Sequence, residues 1–122
     1  MYSASISKEQ IYAKAVQFNE LYFNGKIQLN RLKFSYMCSI KNWGYEFEYT
    51  DHRKYDYEIQ LNTKMLKKHG KLWPRVLCHE MLHVYLDQKG ISCKSDCHSG
   101  KFKEYAKRIN RKVPNMILSG IS

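Results

Sequence analysis

The apolar residues of this chain change period twice along its 122 residues, and that switch sets its fold class. Near the start, Ile11, Ala15, Phe18 and Tyr22 recur at helical spacing, which lines them up on one stripe of an α-helix from about Ser7 to Phe23. Ser7-Lys8-Glu9-Gln10 has the form of a capping box, a Ser at the helix start answered by a Gln three residues on. Asn24-Gly25 supplies the stop. From Leu32 the period falls to two. Leu32, Phe34, Tyr36, Cys38 and Ile40 alternate with Lys33, Ser35, Met37 and Ser39, the mark of a half-buried strand. Asn42-Trp43-Gly44 reads as a turn, after which Tyr45, Phe47 and Tyr49 alternate with Glu46 and Glu48. A polar connection over 51–54 leads to a third run, Tyr55, Tyr57, Ile59 and Leu61. Three consecutive strands with short links predict an antiparallel meander.

Helical character returns beyond Asn62. A short helix is expected over 63–68, ending near His69-Gly70. Trp73-Pro74 opens a longer one, since proline is accepted in a first turn. Leu77, Cys78, Met81, Leu82, Tyr85 and Leu86 give it a broad apolar face, and Gly90 ends it. A loop follows over 91–97. The last helix is expected from about Ser99 to Arg111, with Phe102, Tyr105, Ala106 and Ile109 inward. Beyond it, the tail over 113–122 is expected to be loosely held.

The class is therefore α+β, and the length fits a single domain over 1–122. At 43% hydrophobic and 26% charged the chain is that of an ordinary globular protein, not a disordered one. No apolar run approaches the roughly 20 residues that span a bilayer. The first seven residues lack the basic start and apolar stretch of a signal peptide, so a cytoplasmic location is expected; a monomer with no membrane contact is expected as well. The four cysteines, Cys38, Cys78, Cys93 and Cys97, are then expected as free thiols. Cys93 and Cys97 have a looser spacing than a zinc knuckle. A net charge of +10 favours polyanions, above all nucleic acid, though it also serves plain solubility.

The chemistry is concentrated in His79-Glu80-Met81-Leu82-His83. Histidines four apart on a helix project from one face and can grip one cation, while Glu80 sits beside that cation and can take a proton from its water. A catalytic zinc needs three protein ligands and an open position. The extended metzincin pattern is excluded, because Leu86 and Lys89 stand where Gly and His would be required. A glutamate third ligand could come from Glu104, but it shares a helix side with Lys101, Lys103 and Lys107. His98, fifteen residues beyond His83, is the preferred third ligand. One catalytic Zn2+ is thus expected on His79, His83 and His98 in a zincin-like fold, with Glu80 as the base.

With these residues assembled, the chain resembles the SprT-like family over roughly Val16 to Asn110. The likeness rests on 18–26, Phe-Asn-Glu-Leu-Tyr-Phe-Asn-Gly-Lys, similar to the family's N-x-x-x-F-x-G-x-L entry, and on Ile59-Gln60-Leu61-Asn62. It continues through 77–85 and His98-Ser99-Gly100-Lys101-Phe102, where His and Phe keep the separation of the family's His-Gly-x-x-Phe. The resemblance implies a zinc protease fold with His79, His83 and His98 on the metal and Glu80 as catalytic base. It also implies, as a substrate class, proteins bound or crosslinked to DNA. The C-terminal zinc ribbon of many members is not expected here.

An extended peptide substrate is expected to pair with a sheet edge beside the helix, and by sequence order 55–61 is the candidate strand. The rival reading is a nucleic-acid-binding module with a structural zinc. It would use Lys101, Lys103, Lys107, Arg108, Arg111 and Lys112 as a phosphate-contacting stripe and add Cys93 or Cys97 to close the site.

Overall fold

The computed structural model describes residues 6–91 and 100–118. Helix α1 (Lys8–Tyr22) begins on the expected capping box: Gln10 N–H donates to Ser7 Oγ at 3.1 Å, and Ser7 N–H donates to Gln10 Oε1 at 2.9 Å. Ile11, Ala15 and Phe18 turn inward from it. The chain then passes through strands β1 (Leu32–Met37), β2 (Gly44–Glu48) and β3 (Tyr57–Asn62) and the short helix α2 (Thr63–Lys68). Helices α3 (Trp73–Gln88) and α4 (Lys101–Lys112) follow.

The class is α+β, but the sheet is mixed and not the expected antiparallel meander. Its order is β1-β3-β2, with β3 parallel to β1 and antiparallel to β2. The pairing is fixed at both ends by polar contacts that alternation cannot reveal. Just before the strands, Arg31 forks onto Asp56 at 2.8 and 3.0 Å, and Asp56 N–H donates to the Arg31 carbonyl at 2.8 Å. Bonds from Arg31 and His52 hold the Asp56 carboxyl far below the usual carboxylate range. At the far end, buried Asn62 donates to the carbonyls of Ser39 (2.7 Å) and Asn42 and caps α2 by accepting from Lys64 N–H. These contacts draw the 38–43 connection across the end of β3, leaving β2 on the outer edge.

Helix α3 runs through the middle of the molecule. Every residue from Val76 to Leu86 is buried, because β2 and β3, α1 and α4 all pack against it. A helix enclosed on all sides needs no single apolar stripe. Three of its enclosed residues are polar: His79, Glu80 and His83. The tail, expected to be loose from 113, is tied down as far as Leu118: Ile117 is buried and Asn110 bonds its backbone twice. The chain reverses there through Val113-Pro114-Asn115-Met116. Met116 N–H donates to the Val113 carbonyl at 3.1 Å, and Asn115 has φ +62°. Proline second and asparagine third, with φ positive at the third position, is the pattern of a type II turn.

Candidate metal centre

The four-residue spacing does locally what helix geometry demands: His79 and His83 lie one turn apart, with ring centroids 5.0 Å apart. Relative exposures of 0% for His79, 1% for Glu80 and 8% for His83 place all three within the protein, where a polar group needs a partner. Phe102 of α4 packs against both rings, with centroids 5.1 Å from His79 and 4.4 Å from His83. The helical stripe marked Phe102 as core. Its place against both imidazoles shows only in the structure, though its fixed distance from His98 in the family pattern was a signal.

His79 carries a second feature that sequence reading missed. Its Nδ1 lies 2.7 Å from the Leu118 carbonyl oxygen. A carbonyl only accepts, so Nδ1 carries the proton, and the ring in its neutral form then has its lone pair on Nε2. Metal-binding histidines are held in this way by a carbonyl or carboxylate on the other ring nitrogen. Two buried imidazoles on one face, one with its tautomer set by a backbone carbonyl, are a donor set that fits zinc.

Glu80 is approached from the sheet. A Cβ placed on Gly44, the first residue of β2, would lie 2.8 Å from Val76 Cγ1 and 3.1 Å from Glu80 Oε2. Only glycine lets the β2 backbone come this near. The strand beside Glu80 is therefore the edge strand β2. Strand β3, suggested by sequence order for binding an extended peptide, is central and has both edges paired, so it cannot take one. Two residues along β2 from Gly44, burial and the nearby carboxylates of Asp87 and Glu48 push the Glu46 carboxyl up to about 7.

His98, Cys93 and Cys97 lie outside the described residues. Among the described residues no group of three His, Cys, Asp or Glu is placed to hold a metal. Glu104 stands on the outer side of α4, 3.4 Å from Lys101 and 3.7 Å from Arg108. The basic residues of α4 divide between a cleft and the open surface. Arg108, Arg111 and Lys112 line a cleft of about 490 Å³ with Tyr22, Tyr85 and Tyr105, and the Arg108 guanidinium lies 4.9 Å from the Tyr105 ring centre. Lys101, Lys103 and Lys107 are exposed but do not line it.

The fold and site define an α+β domain built around a helix with a buried His-Glu-x-x-His segment. The sequence matches the SprT-like family over residues 11–119, nearly its whole length, and the chain belongs to that family of protease-like domains associated with metal binding. A comparison with curated proteins finds no match. Among the described residues no helix is long and apolar enough to cross a membrane.

Proposed function

We propose that the chain is a zinc-dependent metalloendopeptidase with a zincin-like active site, acting as a monomer in the cytoplasm. The observation that carries this reading is the enclosed His79, Glu80 and His83 on α3, with Nδ1 of His79 on the Leu118 carbonyl. His79, His83 and His98 would hold the metal. Zinc, when bound, supplies a Lewis acid that polarises the scissile carbonyl and lowers the pKa of water.

The remaining steps belong to the chain. Glu80 accepts the proton of the attacking water at its carboxylate and delivers it to the leaving amine. Its enclosure keeps bulk water from competing for that proton. The peptide lies extended along the outer edge of β2, its backbone paired with Gly44–Glu48, and Gly44 brings that edge next to Glu80. Glu80→Gln keeps fold and zinc content but lowers cleavage by about 10²–10⁴-fold, the usual worth of a positioned base. Undiminished cleavage by clean Glu80→Gln protein would refute this mechanism.

DNA-associated proteins are the proposed substrates. The +10 charge and the cleft with Arg108, Arg111 and Lys112 support that choice. Those three cations outweigh the partial negative ends of α1 and α4, worth roughly half a charge each. The same cleft favours the second reading, a nucleic-acid-binding module with a structural zinc. Cleavage of a DNA-binding protein, followed with and without DNA and with a chelator, separates the two. Chelator-sensitive cleavage stimulated by DNA supports the peptidase reading, and DNA binding with no cleavage supports the module.

A further inference from the structure

We propose that Asn110 is a positioning residue of the metal centre: through the 113–118 tail it holds the Leu118 carbonyl on His79 and so fixes which imidazole nitrogen faces the metal. This rests on the reading of His79 as a ligand given above.

The chain of contacts is continuous. Helix α4 ends at Lys112, and the Val113–Met116 turn sends the backbone back along α4 toward α3. Asn110 treats the returning segment as a strand would. Ile117 N–H donates to its Oδ1 at 2.8 Å, and its Nδ2 donates to the Ile117 carbonyl at 3.2 Å. The Ile117 side chain seats in the core, and Arg75, in the first turn of α3, donates to the Pro114 carbonyl at 3.1 Å. Leu118 is the next residue, and its carbonyl oxygen reaches His79 Nδ1 at 2.7 Å. One residue separates a doubly bonded backbone from the atom that sets the tautomer, so little freedom remains between them.

An imidazole without such a partner favours the proton on Nε2, the nitrogen that must give up its lone pair to a metal. The Leu118 carbonyl reverses that preference before any metal arrives. Losing a partner of this kind costs about 10–100-fold in metal affinity. A tail that merely covered the core through Ile117 would leave both tautomer and affinity untouched.

The test uses the full chain and Asn110→Ala. The His79 tautomer is read in the metal-free protein from imidazole nitrogen shifts, and zinc affinity from competition with a chromophoric chelator. The expected result is an Nδ1–H tautomer in the parent, a shift toward Nε2–H in the variant, and zinc affinity lower by about 10–100-fold. The His83 ring signals report that the fold is intact. Should Asn110→Ala fail to fold, Arg75→Met loosens the same segment from an exposed contact, with a smaller change expected in the same direction. A folded variant with unchanged tautomer and unchanged zinc affinity overturns the proposal. A parent chain that takes up no zinc overturns the metal reading instead, and the tautomer measurement still decides the role of Asn110.

Discussion

Asn19 and Asn110 perform the same local act at opposite ends of the chain, with different consequences. Each sits in the closing turns of a helix and uses its carboxamide to bond both backbone groups of one later isoleucine. Asn19 holds Ile27 at 3.1 and 3.0 Å, and Asn110 holds Ile117 at 2.8 and 3.2 Å. In both cases the chain turns back through an asparagine with positive φ, Asn24 at +54° and Asn115 at +62°. Both isoleucines are buried. The difference lies in what the clamped segment reaches. Beyond Ile27 the chain enters β1 and hence the parallel pairing with β3, so Asn19 serves the fold. Beyond Ile117 it reaches His79, so Asn110 serves the site.

That division is breakable. Asn19 is buried, and Asn19→Ala leaves an N–H and a carbonyl of Ile27 without their partner in the interior. At about 1–3 kcal/mol for each buried unsatisfied group, the loss should be about 2–6 kcal/mol in denaturant unfolding. Zinc affinity of the protein that remains folded should not change. A fall in affinity matching that of Asn110→Ala would erase the distinction.

Gly44 is where fold and site meet, and there the division should fail. Gly44→Ala forces a methyl against Val76 and Glu80. Overpacking of this kind costs about 1–3 kcal/mol, and displacement of Glu80 or β2 should lower cleavage as well. If stability falls while kcat/KM is unchanged, β2 does not flank the catalytic carboxylate as proposed.

These contacts also show where sequence reading stopped. The helices were legible because each carries its own period and its own end signals: the Ser7–Gln10 box, the Asn24-Gly25 stop, Pro74 in the first turn of α3. The strands were legible as strands but not as a sheet. Tyr57, Ile59 and Leu61 alternate with Glu58, Gln60 and Asn62, which looks half-exposed. Yet Glu58 and Asn62 are buried, satisfied by Ser35, Tyr49 and Gln60 and by the Ser39 and Asn42 carbonyls. A strand buried on both faces is central, and polar residues with partners far along the chain conceal that. The candidate site was legible as far as local spacing reaches, in the shared burial of His79, Glu80 and His83 on α3. The Leu118 carbonyl was not, because any residue offers a backbone carbonyl and only the turn at 113–116 brings this one home.

The smallest effect tests whether a loss on α1 is felt at the far clamp. Ser7→Ala removes the side-chain half of the capping box at an exposed helix start, a change worth about 1 kcal/mol. Global unfolding should become easier by that amount. Amide exchange at Ile27, whose N–H is held by a buried Asn19 in the core, should quicken in proportion, since it opens with the whole fold. The Ile117 amide, held by a half-buried Asn110 on the segment that follows α4, should exchange through local opening of that segment and so keep its rate. Equal acceleration at both isoleucines would mean that the two clamps open together, and the tail would then be part of the core and not a separate strap on His79.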